Sequence, residues 1–405
     1  MMTKTKTFAQ YRHFLVLGMA RSGIAASGLL AGDGRTVTVC DDDPSVLARF
    51  AASDVAREFD ERITVTAPEG GMDVVAAVDC IVVSPGVPLE HPVVLAALSR
   101  AIPVIGEIEL AWHFTKARIV GVTGTNGKST TVGVIGEILK AAGVDVVVAG
   151  NIGTPVCDVL RERDPHTLVL ELSSFQLDTT DEFRVDVAVL LNVTPDHLDR
   201  YHHSFAEYAA SKARILRHAD ANTVYVYNRE DETASALARE TPARAIPFSS
   251  ARRLDDGVCC EDDTIVHAAA GTRTPVLSRG EFVPVGVHNL ENAMASVGVA
   301  YALDVPLAPL RSALRAYRPL PHRMEMVREL DGVTYVNDSK ATNVDATVKS
   351  LVSIEGTSIL ILGGRDKDGD FTQLVPYLRD VRRVLLIGEA APVIRRALSG
   401  HVEMS

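Results

Sequence analysis

Short apolar runs rich in Val, Ile and Leu recur along most of the chain. They fall at His13 to Leu17, Thr36 to Cys40, Cys80 to Val83, Arg118 to Val122, Leu168 to Leu172, Val187 to Asn192, Val224 to Asn228, Val333 to Asn337, Ser358 to Leu362 and Arg383 to Ile387. Stretches with helical periodicity separate them. Runs of this length alternating with helices predict βαβ units and mainly parallel sheets, an α/β fold. In such sheets ligands gather beyond the carboxyl ends of the strands, so the loops that follow each run are where chemistry is expected. From Ala251 to Glu281 the pattern turns polar and poorly periodic, which predicts a β-ribbon or loop.

At 405 residues the chain exceeds one ordinary core and suggests three units. One boundary is expected near Pro103 to Glu107, before a helical segment around Trp112, and another near Leu320 and Pro321, where the prolines of RPLPHR stiffen a connector. No apolar run reaches the ~18 residues of a membrane span. The start, MMTKTKTFAQYRHFLVLGMA, runs into a glycine turn rather than a cleavage site and reads as a mature N-terminus. Five scattered cysteines without a CxxC point to a reducing cytoplasm rather than a disulfide framework or zinc site. A net charge of −11 argues against general nucleic-acid binding, so any phosphate site must be local.

Two glycine turns are candidates for such a site. GMARSG, Gly18 to Gly23, follows the first strand and would be a dinucleotide fingerprint if Ala20 were glycine; Asp41 and Asp42 stand about where a ribose-binding acid would. It reads either as a tight strand-to-helix turn without a ligand or as a nucleotide site, and an oxidoreductase built on it is one function class to separate. Ser84, Pro85 and Gly86 form a second turn that could face phosphate.

IVGVTGTNGKST, Ile119 to Thr130, carries a stronger signal. Gly124, Thr125, Asn126 and Gly127 let backbone NH groups curl around phosphates, the helix opening with Lys128, Ser129 and Thr130 adds positive potential, Lys128 reaches phosphate oxygens, and a hydroxyl binds magnesium. The strict pattern has glycine at position 122, where this chain has Val122. Downstream, Glu171 ends the strand of LVLELSSFQL and His197 follows the next strand in NVTPDHLDRY; a carboxylate and an imidazole there can complete a magnesium site. Lys212, in AASKARIL, reads on its own as a surface helical lysine. Lys340 and Lys367 read as exposed loop charges, and Asn289 and Asn292 as a helix cap and a helical surface residue. With phosphate and metal residues present together, an enzyme is favoured over a simple binding module.

TGTNGKST, ELSSFQL, NVTPDHLDRY, HNLENAMA, PHRME and NDSKATN occur in that order, and together they resemble the Mur ligase family of peptidoglycan synthesis over nearly the whole chain. ELSSFQL and the serine after the P-loop lysine are most similar to the member that joins D-glutamate to UDP-N-acetylmuramoyl-L-alanine; related folylpolyglutamate synthetases typically have glycine after that lysine. The resemblance implies a Rossmann-like domain for the UDP substrate over 1–106, a central P-loop ATPase domain over 107–320 and a Rossmann-like amino-acid domain over 321–405. It implies ATP, two magnesium ions, a cytoplasmic monomer and ligation through an acyl phosphate.

By the same resemblance, Gly18, Arg21, Ser22, Gly23, Ser84, Gly86 and Asn151 would bind the UDP substrate. Gly124 to Thr130, Asn289, Asn292, Arg323 and Asp338 would bind ATP, with His322 alongside. Ser129, Glu171, His197 and a carbamylated Lys212 would hold magnesium, and Lys340, Thr342 and Lys367 would meet the acyl phosphate or the amino acid. Lys128, His197, Lys212 and Lys340 would be catalytic. A serine- and phenylalanine-containing segment that helps hold the amino acid in the family has no counterpart before Ser405, so the third domain is expected to be incomplete and ligation impaired.

Overall fold

The computed structural model describes residues 7–67, 70–284, 286–318, 322, 324–354, 356–366 and 369–405. Five strands, β1 (His13–Leu17), β2 (Thr36–Cys40), β3 (Ile63–Val65), β4 (Cys80–Val83) and β5 (Val104–Gly106), form an all-parallel sheet in the order β3-β2-β1-β4-β5. Alternate residues of β1 enter opposite cores. Phe14 and Val16 join the cluster that contains Ala25, Leu29 and Leu30, while Leu15 and Leu17 join Val93, Val94 and Ala97. Burial on both faces is why these strands read as continuous apolar runs rather than alternating ones.

Nine strands form the second sheet: β6 (Arg118–Thr123), β7 (Val146–Gly150), β8 (Thr167–Glu171), β9 (Val187–Leu190), β10 (Val224–Asn228), β11 (Arg244–Ser249), β12 (Gly257–Glu261), β13 (Thr264–Ala269) and β14 (Thr272–Ser278). Their order is β14-β13-β12-β11-β10-β9-β6-β8-β7, with antiparallel pairing only at β12-β13-β14. Those last three strands are the ribbon expected from the polar stretch. Beyond β5 the chain passes directly into the helix Glu107–Trp112, whose first five residues are buried.

One strand reading needs correction. Val333 to Asn337, taken with the parallel runs, is β16 (Val333–Asn337), which pairs antiparallel with β15 (Glu325–Leu330) in a two-stranded hairpin. The reason is local: Leu330 pairs with Val333 across Asp331 and Gly332, whose φ values of 52° and 74° are those of a two-residue Asp-Gly turn. The final sheet pairs β17 (Ser358–Gly363) with β18 (Val381–Ile387) in parallel. Its Leu360 and Val384 pack inward while Ile359 and Ile361 stay 61% and 64% exposed. Among the described residues no helix is long and apolar enough to cross a membrane.

Candidate active site

The chain order reverses around β6, which lies between β9 and β8, so a crevice opens beyond its carboxyl end. There the loop turns into the helix Lys128–Ala141, whose early residues Ser129, Thr130 and Thr131 are buried. Gly127 has φ +89°, and a Cβ on it would lie 2.3 Å from Asn292 Oδ1, so the position excludes any side chain. Thr131 Oγ1 donates to the same amide oxygen at 3.3 Å, and Asn292 Nδ2 donates to Asn289 Oδ1 at 3.3 Å. The asparagines of HNLENAMA therefore stand against the phosphate loop.

Two lysines meet on that loop. Lys128 Nζ donates to the carbonyls of Gly124 (2.9 Å) and Thr125 (2.8 Å), and Lys212 Nζ donates to Gly124 O at 2.9 Å. Lys212 is only 2% exposed, although its sequence context reads as a surface lysine. Its ammonium sits 4.6 Å from the centre of the Tyr208 ring. Burial, reinforced by the positive charge of Lys128, holds its pKa well below the ordinary lysine value.

Glu171 ends β8 beside this loop and is 3% exposed. Its Oε1 accepts from Asn151 Nδ2 at 2.8 Å, whereas Oε2 is buried and accepts no hydrogen bond from the described residues. Asn151, expected to meet substrate, here orients this carboxylate. A buried carboxylate oxygen left over at the end of β8, the strand paired with β6 ahead of the phosphate loop, suits a hard cation with oxygen ligands, and magnesium fits. Among the described residues no three His, Cys, Asp or Glu side chains cluster as a metal cage. Few protein ligands suit an ion that keeps its waters and binds substrate phosphates.

His197 takes a left-handed backbone conformation (φ 54°) and lies edge-on to Phe175 at 5.1 Å. Phe175 stacks with Tyr201 (6.1 Å), and Tyr201 meets Tyr208 (5.5 Å), the ring beneath Lys212. A file of aromatic rings thus links His197 to Lys212. Tyr208 is fixed in turn by a 3.0 Å hydrogen bond to Thr125 Oγ1.

The first sheet also reverses order, at β1 between β2 and β4, and Gly18 and Ser84 stand on the two sides of that crevice. Gly18 has φ +88°, and Ser84 Oγ donates to its carbonyl at 2.6 Å, so the two turns hold each other. A Cβ on Gly23 would lie 2.0 Å from Gly18 O, showing how closely the helix start with Ser22 packs on the turn. Gly86 is exposed, and Arg21 donates to Gly153 O across the gap to the loop after β7. Asp41 accepts from Met19 N (2.7 Å) and Asp43 N (2.9 Å), so its carboxylate braces the turn.

Asn126, Gly127, Thr130, Asn289, Asn292, Asp338 and Lys340 line one cleft between the phosphate loop and the segment after β16. Asp338 accepts from Met324 N at 3.0 Å and from Ser350, while Lys340 and Thr342 are exposed. His322 Nδ1 lies 2.8 Å from Asn337 Nδ2. Arg323 and Lys367 lie outside the described residues.

Comparison with known proteins covers most of the chain. Residues 12–106 match the family model of the Mur ligase MurD-like N-terminal domain, 122–300 the Mur ligase middle domain, and 322–404 the Mur ligase glutamate ligase domain. A protein of Pelotomaculum thermopropionicum named UDP-N-acetylmuramoylalanine--D-glutamate ligase is 41% identical over 95% of this chain and 84% of its own length. One of the same name from Geobacillus kaustophilus is 38% identical over 97% of this chain and 86% of its own. The chain belongs to the Mur ligase family.

Solved structures repeat the three-domain architecture of the family. A pseudomurein peptide ligase type C from Methanothermus fervidus superposes with a TM-score of 0.61 at 18% identity, covering 97% of this chain and 88% of its own. The UDP-N-acetylmuramate-alanine ligase of Thermotoga maritima gives 0.59 at 17%, covering 98% and 90%. Residues not singled out in the sequence hold the phosphate loop of this Mur ligase: Asn192, Asn343 and Asp345 hydrogen-bond to Asn126, and Lys349 pairs with Asp345. Asn343 closes the NDSKATN motif, so the signal was the motif's continuation into the helix Val344–Ser353.

Proposed function

We propose that this chain is an ATP-dependent amide ligase that joins D-glutamate to UDP-N-acetylmuramoyl-L-alanine through an acyl phosphate. The observation that carries the chemistry is the convergence of Lys128 and buried Lys212 on the Gly124 carbonyl. On the neighbouring strand β8, a carboxylate oxygen of Glu171 has no partner among the described residues. The substrates follow from the names of relatives 38–41% identical over nearly all of this chain. We read it as a cytoplasmic monomer divided at 106/107 and 320/321.

In this reading Gly18, Arg21, Ser22, Gly23, Ser84 and Gly86 grip the uridine diphosphate at the first crevice. Gly124 to Thr130 cradle the ATP phosphates, and Asn289, Asn292, Arg323 and Asp338 hold the nucleoside. The substrate carboxylate attacks the γ-phosphorus in line while Lys128 neutralises developing charge on the phosphoryl oxygens. ADP leaves, and the amine of D-glutamate attacks the acyl carbon. Lys340, with Thr342 and Lys367, stabilises the oxyanion of the tetrahedral intermediate, which collapses by expelling phosphate to give the amide.

Lys212 has the environment a carbamate needs. Its lowered pKa favours the neutral amine, the form that can add carbon dioxide and lose a proton to give a carboxylate-like group. Ser129, Glu171, His197 and the carbamate of Lys212 would hold two magnesium ions, which supply electrostatic shielding of the transferring phosphoryl group.

The test is ADP release measured with each substrate omitted in turn. Turnover should require both the UDP-muramoyl substrate and D-glutamate, and Lys128→Ala should lower kcat by about 100-fold or more. Equal ADP release without the UDP-muramoyl substrate would sink the proposal.

A further inference from the structure

The loop residue Asn126 is held from a segment 219 positions away in sequence. Its Nδ2 donates to Asp345 Oδ2 at 2.7 Å and, more weakly, to Asn343 Oδ1 at 3.4 Å. In return Asn343 Nδ2 donates to Asn126 Oδ1 at 3.2 Å and to Asp196 Oδ2 at 3.0 Å. Both amide groups are thereby engaged through oxygen and nitrogen alike. Thr194 Oγ1 adds a contact of 3.4 Å to Asp345 Oδ2, and Asn192 holds the backbone of Asn126 from the other side, accepting from its N at 2.8 Å and donating to its O at 3.1 Å.

Three parts of the fold meet in this network: the phosphate loop after β6, the loop after β9, and the helix Val344–Ser353 that follows NDSKATN. Asn343 serves two ends at once, because its Oδ1 also caps that helix by accepting from Ala346 N at 2.8 Å. Lys340 lies three residues before it, and Asp338 is tied to Ser350 on the same helix. Anchoring Asn343 and Asp345 to the phosphate loop therefore sets where Lys340 and Asp338 stand in the cleft. A bare carboxylate beside a triphosphate site would repel the nucleotide, but Lys349 neutralises Asp345 at 2.8 Å.

We propose that Asn343 and Asp345 are positioning residues that latch the third unit onto the phosphate loop and keep the cleft shut while the acyl phosphate exists. The proposal rests on the ligase reading above. An acyl phosphate exposed to water hydrolyses, consuming ATP without forming an amide, so a latch that excludes water is read out directly as coupling between ADP release and amide formation. Neither residue touches the reacting atoms in this account. Each acts through Asn126 and through the placement of Lys340.

The experiment measures ADP and amide side by side for the full chain, together with KM for ATP and the unfolding temperature. The ratio of ADP to amide in the wild type is the reference against which each variant is read. Asp345→Ala should release severalfold more ADP than amide, with KM for ATP raised by about tenfold. Asp345→Asn keeps an oxygen to accept from Asn126 and Thr194 and should stay close to wild-type coupling.

Asn343→Asp retains the helix cap but sets an anion opposite Asp196, so it should uncouple as Asp345→Ala does even if the alanine variant fails to fold. Full coupling and unchanged KM in folded Asp345→Ala or Asn343→Asp would overturn the latch. So would an Asp345→Asn variant as uncoupled as the alanine one, since the effect would then belong to charge alone. A wild type that makes no amide from both substrates would instead sink the ligase reading itself.

Discussion

Lys212 turns on whether an ammonium at this site can be tolerated. It is 2% exposed, packed on Tyr208 and faced by Lys128 across a single carbonyl, and burial is the largest cause of its lowered pKa. Two cations sharing one acceptor in a dry site favour loss of a proton from one of them. Conversion to a carbamate reverses the sign of the charge and suits a magnesium ligand. Incubation with ¹³C-bicarbonate should therefore give a carbamate resonance that is lost in Lys212→Ala. That variant should lose about 100-fold or more in kcat and recover part of it with acetate. Full activity without added acetate would remove the carbamate from the mechanism.

On the scale of single elements, the helix Glu107–Trp112 carries two buried carboxylates with opposite behaviour. Glu109 accepts from the backbone NH groups of Asp181, Glu182 and Phe183, and these bonds together with His113 outweigh burial and lower its pKa. Glu107 accepts from Cys157 N at 2.9 Å while its Oε2 has no partner among the described residues, and burial pushes its pKa up to about 7.

The helix thus pins the end of the first sheet to the second unit with one anion and one carboxyl that titrates near neutrality. Glu109→Ala would strand three backbone donors and should cost about 3 kcal/mol in urea denaturation. For Glu107 the folded state holds a proton that the unfolded chain loses near its ordinary value of 4.5. Its contribution to stability is therefore full below pH 4.5 and lost as pH rises to about 7. Glu107→Gln should flatten this part of the stability profile; an unaltered slope in urea midpoints would assign it to other groups.

For the molecule as a whole, two parallel sheets each reverse strand order once in their parallel part, and each crevice holds a glycine turn. The two sites are built on separate sheets, so their ligands should stabilise the fold independently. At about 100 times its Kd a ligand adds ~2.7 kcal/mol. UDP and an ATP analogue should each raise the unfolding temperature, and NAD should not. A Cβ on Gly18 would lie 2.8 Å from Val87 Cγ2, so Gly18→Val should abolish the shift with UDP and leave that with the nucleotide analogue. Loss of both shifts would mean that the substitution damages the fold beyond its own turn.

Much of this was legible in the residues in order. Continuous apolar runs gave β1, β2, β4, β6 and β10 because strands covered on both faces need no alternation. The phosphate loop was legible because glycine, lysine and hydroxyl must be neighbours for backbone NH groups and the helix start to act on one anion. Pairing direction was less so: Val333 to Asn337 has a strand's composition, and the Asp-Gly turn before it decided for an antiparallel hairpin.

Folding had to supply what depends on distant neighbours. Burial of Lys212 comes from the aromatic file under it and the Gly124 carbonyl 88 positions away. The bracing of the first turn by Asp41, the raised pKa of Glu107 and the attachment of Asn343 and Asp345 to Asn126 arise in the same manner. A side chain's charge state and reach are set by what the fold packs around it, and local sequence carries no record of that environment.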